Sequence, residues 1–344
     1  VMRNNRIGLI TDTEKDERWL NLPGQPYTVR SAMAVPISRD NELLGILTLL
    51  HSQPGVFHQG TADVMEVTAG QLGLALESAK LYSKLDQYSR ALDAELEKGR
   101  QIQKEFLPRE LPRLPGWELA ACFHPARQVA GDFYDGFVLP NGCLAVVIGD
   151  VCDKGVGSAL FMALIRSLLR VFTGKISLSG VSISAGDGPA MAAMDVEVGT
   201  ALGAVTLTSE YIAQEHGDQG MFATLCLGII NPETGEMAYV NAGHLPLLII
   251  GKSGVRAALS VTGPSVGMAP GLKFRSAVAR IEPGEVLLGY TDGVTEALSP
   301  DDALYTQQRF FAFLEKPFSS ALELIEGVKA DLFSHVKNAP QSDD

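Results

Sequence analysis

The chain has 344 residues, of which 46% are hydrophobic and 20% charged, a composition typical of soluble globular domains. Its 40 acidic residues outnumber its 28 basic ones, and the net charge of −12 argues against nucleic acid or an anionic membrane as a partner. No segment approaches the apolar length of a membrane span. We therefore expect a cytoplasmic protein with two domains and a linker. Because the chain opens on Val1 inside a fold-like pattern, we interpret it as a fragment, and an upstream membrane segment stays an open alternative.

The four cysteines are Cys122, Cys143, Cys152 and Cys226. They show no CxxC spacing, and three of them lie in strand-like apolar runs. This usage is typical of reduced core residues in a cytosolic protein.

Residues 1–75 are predicted to form a small α+β module. The stretch "SAMAVPISR" is a predicted strand, a polar turn covers residues 39–42, and a second strand covers Leu43–Leu50. A helix-like run follows over Thr61–Leu81. This pattern resembles the C-terminal half of a GAF domain, a fold that binds small ligands or serves as a dimerisation scaffold. The scaffold role is favoured, and these residues identify no ligand.

Residues 76–110 are predicted to be a helical linker. Its apolar positions follow the spacing of a coiled coil, with a weak middle. They are Leu81, Leu85, Tyr88 and Leu92, and the spacing resumes at Ile102 and Phe106 after Glu95 and Gly99. A helix paired in a homodimer and a single amphipathic helix lying on its own domain are both consistent with this spacing. Pro108 and Pro112 are predicted to end the helix.

Residues 111–344 are predicted to form a second domain of antiparallel sheets and helices. We predict three strands between Trp117 and Asp150, a helix over Ser158–Phe172 and further helices between Gln307 and Lys337. Later strands are predicted over Met221–Ile230, Met237–Asn241, Leu247–Ile250, Phe274–Ile281 and Val286–Thr291. The Gly-, Ala- and Ser-rich stretch Thr173–Thr208 is interpreted as an insertion, either a mobile flap or a disordered segment.

Two acidic turns, "GDFYD" and "GDVCDKG", flank the apolar run Cys143–Ile148. Each glycine allows a tight turn just before an aspartate at a strand end. If the two strands are antiparallel neighbours, Asp132 and Asp150 lie side by side. Paired carboxylates persist when they are protonated, solvated or bound to a cation, and a hard divalent cation suits ligands that are all oxygen.

The same pattern recurs further along the chain. Asp292 in "GYTDGVTEA" follows the apolar run Val286–Leu288, and Asp343 and Asp344 follow a helix-like segment. A single Gly-Asp turn is most often only a turn, whereas four separated acidic strand ends favour a metal site.

Several ordered strings resemble the SpoIIE/RsbU-type bacterial serine phosphatases of the PP2C (PPM) superfamily. The strings are "IQKEFLPRELPRLPGWELA", "PARQVAGDFYD", "IGDVCDKGVGSALFMALIRSLLR", "MFATLCLGIINPETGEMAYVNAGHLPLL", "GPSVGM" and "PGEVLLGYTDGVTEA", and they cover most of residues 102–344. The resemblance implies an α+β fold, an αββα sandwich of two antiparallel sheets. It also implies a C-terminal strand that is missing after Asp344.

The resemblance also implies a ligand set for two Mn²⁺ or Mg²⁺ ions. Asp132, Asp150, Asp292 and Asp343 match the acidic positions, and the Val151 carbonyl matches a backbone ligand. Asp150, Asp132 and Asp292 are accordingly the expected catalytic residues. Asp343 is chosen over Asp344 because the family's terminal motif places the ligand first.

Three further residues match positions of interest in relatives. Arg127 stands where eukaryotic relatives place a phosphate-binding arginine, and a surface arginine paired with a carboxylate is the alternative. Cys152 stands where those relatives carry a histidine proposed as general acid, so protonation of the leaving group stays unassigned. His244 in "NAGH" is interpreted as a structural hydrogen-bonding residue.

The implied function is that of a metal-dependent protein serine/threonine phosphatase regulated by a GAF sensor. It would hydrolyse phosphoserine or phosphothreonine with metal-activated water. The implied substrate is a phosphorylated STAS-type anti-anti-sigma protein of a bacterial partner-switching pathway. One alternative is a catalytically weak sensor and dimerisation module that acts by binding partners. Another is a small-molecule phosphoesterase, which would need an enclosed pocket.

Overall fold

The computed structural model describes residues 1, 5–20, 28–40, 42–174 and 193–344. The chain divides into two compact units, residues 1–94 and residues 95–344. Within the described ranges, no helix combines the length and apolar character needed to cross a membrane.

The first unit is a three-stranded antiparallel sheet followed by a helix. Its elements are β1 (Gly8–Ile10), β2 (Ser31–Arg39), β3 (Glu42–His51) and the start of α1 (Gln59–Phe106). Alternate residues of β2, namely Met33, Val35 and Ile37, meet Ala62 and Ala69 of the helix in one buried core. The two predicted strands and the helix are confirmed. The sequence did not indicate β1, because three residues are too few for a periodic pattern.

Helix α1 is a single element of 48 residues. It joins the helix predicted in the first module to the predicted helical linker, and it ends two residues before Pro108, as that proline requires. The apolar positions of the linker are exposed, namely Leu81, Leu85, Tyr88, Leu92 and Ile102.

The second unit contains two antiparallel sheets and several helices. Its strands are β4 (Phe133–Val138), β5 (Leu144–Val151), β6 (Ala223–Ile230), β7 (Glu236–Ala242), β8 (Leu247–Gly251), β9 (Gly254–Leu259), β10 (Ala277–Arg280) and β11 (Val286–Leu288). Its helices are α2 (Val156–Phe172), α3 (Ala193–His216), α4 (Asp292–Thr295), α5 (Gln307–Leu314) and α6 (Ala321–Val336). The sheet orders are β10-β7-β6-β5-β4 and β11-β8-β9.

The period-two alternation of the strands sorts their side chains into three stacked cores. Ala145 and Val147 of β5 face the helices α2 and α3, whereas Leu144 of the same strand faces the second sheet. In β8, Leu247 lies between the sheets and Leu248 packs on α5 and α6. The layers therefore run helix, sheet, sheet, helix, and the expected αββα class is confirmed.

Two sequence predictions for this unit are wrong. Only two strands, β4 and β5, lie between Trp117 and Asp150; the residues after Trp117 satisfy their apolar pattern by packing, without joining a ladder. The second half of the presumed insertion is the start of α3, whose Ala201, Ala204 and Val205 are fully buried. Residues 175–192 of that stretch lie outside the described residues.

The cysteine prediction holds for part of the set. All four are free thiols, and Cys143 and Cys226 are buried, which matches the expected reduced core residues. Cys152 is half-buried, and Cys122 is exposed, so the core assignment is wrong for Cys122. Cys122 lies in the segment between Trp117 and β4, which forms no strand.

A buried ion pair locks β4 to α2. Asp135, the second aspartate of "GDFYD", is 4% exposed and accepts hydrogen bonds from Arg170 Nε at 2.6 Å and Nη2 at 2.8 Å. Arg166 Nε lies 3.0 Å from the same carboxylate. Loss of either partner of such a pair leaves an uncompensated buried charge. The Asp135 carboxylate thus stabilises the packing of α2 against β4.

Candidate metal centre

The β4–β5 ladder brings the first two predicted carboxylates together. Phe133 pairs with Gly149, so Asp132, one residue before, and Asp150, one residue after, share the same end of the sheet. A Cβ on Gly131 would lie 2.7 Å from the Val151 carbonyl oxygen, closer than van der Waals contact allows. Glycine is therefore required at residue 131 for the Asp132 backbone to approach β5 this closely.

Asp132 and Asp150 form a coupled pair. Asp132 is only 5% exposed, and burial together with the Asp150 charge raises its pKa far above the usual range. Burial also raises the pKa of Asp150, but the hydrogen bond from Asp132 opposes that rise. The two carboxyls thus titrate as a coupled pair in which Asp132 is harder to ionise than an ordinary aspartate.

The turn after β11 supplies two more groups. Thr291 hydrogen-bonds the Asp132 carboxyl, which lowers its pKa and opposes the effect of burial. Asp292 begins α4, and burial and the Asp343 charge raise its pKa. The charge of Asp292 in turn raises the pKa of Asp150. The turn that follows the second sheet thus acts, through Thr291 and Asp292, on the pKa values of the two aspartates at the end of the first sheet.

Both terminal aspartates reach the same place. Asp344 accepts hydrogen bonds from the Ala126 amide at 2.8 Å and the Gly131 amide at 3.1 Å. Asp343 lies 2.9 Å from Lys154 Nζ, and its charge raises the pKa of Asp150. The sequence interpretation chose Asp343 alone, whereas the structure brings both carboxylates to Asp150.

These residues form an oxygen-only donor set with excess negative charge. Within the described ranges, no three carboxylate, imidazole or thiol groups already converge on one point as a formed site. The raised pKa values nevertheless show that the carboxyls oppose one another's ionisation. A hard divalent cation relieves that opposition and suits these donors, so the residues fit the implied metal.

The other predicted residues lie around this cluster. Arg127 is exposed on the loop whose Ala126 and Gly131 amides hold Asp344, and among the described residues it forms no ion pair. Cys152 Sγ accepts a hydrogen bond from the Phe222 amide at 3.1 Å and so serves the backbone. Neither residue touches the carboxylates in this arrangement.

His244 is a buried structural link. Its Nδ1 lies 3.0 Å from Thr224 Oγ1, and Thr224 pairs with Asp150 across the β5–β6 ladder. Its amide donates to Asn241 Oδ1 at 2.9 Å. Burial lowers the pKa of His244 to about 4, so the ring is neutral near pH 7. This geometry agrees with the structural interpretation of the "NAGH" motif.

Helix α1 also contacts the loop before Asp132, within the second unit. Gln103 donates from Nε2 to the Ala130 carbonyl at 2.6 Å and accepts from the Ala130 amide at 3.0 Å. One turn earlier, a Cβ on Gly99 would lie 3.6 Å from Val129 Cγ1. The heptad spacing is thus interrupted at Gly99, where the helix packs against Val129 of the same chain. Sequence reasoning quoted the "IQKEF" string but missed this role of its glutamine.

Replacing Gln103 by leucine should destabilise the second unit by about 2–3 kcal/mol, because the buried Ala130 amide and carbonyl lose their partners. Chemical denaturation measures the change in the free energy of unfolding. The matched control is Gln101→Leu on the exposed face of the same helix, for which we expect a change within about 0.5 kcal/mol. Equal effects of the two substitutions would contradict the assignment.

The geometry is that of a PP2C-type fold, and the comparisons agree. The chain aligns with the solved "SiaA-PP2C domain of Pseudomonas aeruginosa" at a TM-score of 0.58 and 18% identity, over 75% of this chain and 95% of that one. The model of the family "Stage II sporulation protein E (SpoIIE)" matches residues 140–344, and the chain belongs to that family. The GAF domain model matches residues 1–76.

Three curated proteins align with most of this chain. "Protein IcfG" of Synechocystis sp. (strain ATCC 27184 / PCC 6803 / Kazusa) is 48% identical over 257 residues, which is 73% of this chain and 40% of that protein. "Phosphoserine phosphatase RsbU" of Bacillus subtilis (strain 168) is 23% identical over 79% of this chain and 73% of its own length. "Phosphoserine phosphatase RsbP" of the same organism is 27% identical, and the chain spans 55% of it. The chain thus spans about half or less of two of these relatives.

Proposed function

We propose that the chain is a Mn²⁺- or Mg²⁺-dependent protein phosphatase that hydrolyses phosphoserine or phosphothreonine. The observation that carries the proposal is the electrostatic coupling of Asp132 and Asp150 to each other and to Asp292, Asp343 and Asp344. Membership of the SpoIIE family and similarity to two phosphoserine phosphatases support it.

Each residue has a proposed task. Asp132, Asp150, Asp292 and Asp343 would hold two divalent ions together with the Val151 carbonyl. Bound ions would supply Lewis-acid activation of water and of the phosphoryl group. Asp150 is coupled to Asp132 by a hydrogen bond and to Asp292 by charge, so it would hold a cation together with either carboxylate. Thr291 orients Asp132, and His244 holds the strand beside Asp150.

Recognition of the phosphorylated substrate needs positive charge, since the chain carries a net charge of −12. Arg127 is proposed to bind the substrate phosphate, because its guanidinium is exposed on the loop that leads to Asp132. Its planar fork matches two phosphate oxygens. The proposed substrate is a phosphorylated STAS-type anti-anti-sigma protein in the cytoplasm.

The test is release of phosphate under controlled metal. We expect Mn²⁺-dependent release from a phosphoserine protein, none after chelation, and much slower turnover of small phosphate esters. Turnover of small esters as fast as of the protein would instead favour a small-molecule phosphoesterase. Binding of the phosphoprotein without any release would favour the catalytically weak interaction module.

We also propose how the chain is organised and regulated. Residues 1–75 would act as a GAF sensor for an unidentified ligand, residues 76–110 as a helical linker and residues 111–344 as the phosphatase domain. The linker is proposed to pair with a second copy. Its exposed stripe at Leu81, Leu85, Tyr88 and Leu92 has the 4-3-4 spacing of a coiled-coil seam, and solvent otherwise covers it.

Replacing Leu85 by glutamate should raise the dimer dissociation constant at least about tenfold, because it places charge in an apolar seam. Sedimentation velocity over a range of concentrations measures it. The control is Ser83→Glu, which places the same side chain at an exposed position on the side of the helix opposite the stripe. A monomeric wild-type protein, or a dimer unchanged by Leu85→Glu, would refute the pairing.

A further inference from the structure

Lys154 is a cation at the edge of the carboxylate cluster. It lies on the turn between β5 and α2, where Asp153 and Gly155 have φ values of 70° and 108°. Its Nζ donates to the Ser342 carbonyl at 2.7 Å and lies 2.9 Å from Asp343 Oδ2. Its charge lowers the pKa of Asp292, so the ammonium acts on two carboxylates that come from different parts of the chain.

The charge balance of the cluster calls for such a cation. Asp132, Asp150, Asp292, Asp343 and Asp344 bring five ionisable carboxyls to one place. Two divalent ions would supply four positive charges, which leaves about one negative charge. A phosphoryl group that is itself an anion would then meet net repulsion unless the protein adds cations near the site.

Lys154 can meet an incoming group. Its side chain is 37% exposed, so it lies at the rim and not in the interior. An ammonium has three donors, of which two are directed at Ser342 and Asp343, so the third can meet an anion from solvent. A compact ammonium is also an effective point-charge partner for phosphate oxygens.

We propose that Lys154 binds a nonbridging oxygen of the substrate phosphoryl group. This assignment rests on the proposed function and adds a substrate-binding residue to it. Lys154 would act together with Arg127, which approaches from the loop before β4. The sequence interpretation gave Lys154 no role.

A purely structural role would have a different signature. If Lys154 only tethers Asp343, its removal changes Mn²⁺ binding but leaves the phosphate affinity of the Mn²⁺-saturated protein unchanged. If Lys154 binds phosphate, its removal weakens phosphate binding even when Mn²⁺ is saturating. The two roles therefore differ in the phosphate affinity measured at saturating Mn²⁺.

The experiment compares Lys154→Met and Lys154→Arg with wild type and with Lys252→Met, an exposed lysine on the β8–β9 turn. Calorimetry first measures the dissociation constant of Mn²⁺, and then that of inorganic phosphate for the Mn²⁺-loaded protein. Steady-state kinetics with the phosphoserine protein give KM and kcat. All variants keep the turn's backbone, and circular dichroism confirms the fold.

For Lys154→Met at saturating Mn²⁺ we expect phosphate to bind about tenfold or more weakly and KM to rise similarly. Lys154→Arg should recover most of the phosphate affinity, and Lys252→Met should match wild type. Unchanged phosphate binding by Mn²⁺-saturated Lys154→Met would overturn the assignment. A wild-type protein that binds phosphate through Lys154 but releases none from phosphoproteins would overturn the proposed function instead.

Discussion

Replacing Asp150 by asparagine is expected to lower Mn²⁺-dependent phosphate release by at least about a hundredfold. Loss of an outer-shell partner of a metal ligand typically costs about 10–100-fold, and loss of the carboxylate proposed to serve both ions should cost more. A neutral amide cannot serve two cations as a carboxylate does. The fold should survive, because the substitution removes a charge that burial, Asp292 and Asp343 oppose.

The matched control is Asp153→Asn, three residues further on the same turn. It makes the same chemical change at an exposed position, and asparagine tolerates the left-handed φ of 70° about as well as aspartate. We expect its activity to stay within about twofold of wild type, because Asp153 is exposed and an asparagine Oδ1 can still accept from the Lys154 amide. Phosphate release and Mn²⁺ calorimetry are measured for both. Asp150→Asn protein that keeps turnover and Mn²⁺ affinity would remove Asp150 from the centre.

The pairing of Asp132 with Asp150 could be predicted from the sequence because it depends on local rules. A glycine before each aspartate marks a strand end, and the apolar run between them can only be a strand. Antiparallel pairing of neighbouring strands then fixes which residues meet, as the Phe133–Gly149 register shows. The order of the layers could not be predicted from the residue pattern alone. It came from the family resemblance, and the alternation in β5 and β8 explains it physically.

The contacts that complete the site are remote in sequence and left no local signal. Asp344 is held by amides more than 200 residues earlier in the chain, and Gln103 binds Ala130 across 27 residues. Nothing in the spacing of either residue reveals such a partner. Which terminal aspartate contacts the site depends on the tertiary fold, and the sequence pattern does not show it. The sequence interpretation therefore missed Asp344 and chose Asp343 alone.

Helix α3 was misread for a different reason. Its Gly- and Ala-rich composition was taken as a sign of an insertion or disorder. Small residues also let a helix lie close to a sheet, and Ala201, Ala204 and Val205 are fully buried in the core below β6 and β7. Composition alone cannot separate these cases, because a helix packed closely on a sheet and a disordered segment can both be rich in glycine and alanine.

Replacing Asp132 by asparagine should stabilise the metal-free protein at pH 7.5 by about 1–3 kcal/mol. The pKa of Asp132 is raised above its ordinary value of 3.8, so the folded protein binds this proton more tightly than the unfolded chain does. Above about pH 4 the unfolded chain releases the proton freely, and folding becomes steadily less favourable as the pH rises. Asparagine carries no such cost. Its amide can donate to Asp150 and accept from Thr291, as the protonated carboxyl does.

The gain should therefore be small at pH 4.5 and large at pH 7.5, when unfolding is measured in the presence of a chelator. Saturating Mn²⁺ should reverse the order, because a ligand at a hundred times its dissociation constant adds about 2.7 kcal/mol to wild type alone. The control is Asp218→Asn on an exposed turn, which should shift neither value. An Asp132→Asn variant that is less stable than wild type with chelator, or equally stabilised by Mn²⁺, would mean that Asp132 is a structural carboxyl. A crossing of the two stabilities would instead show that the fold tolerates a strained carboxyl pair in order to bind the metal.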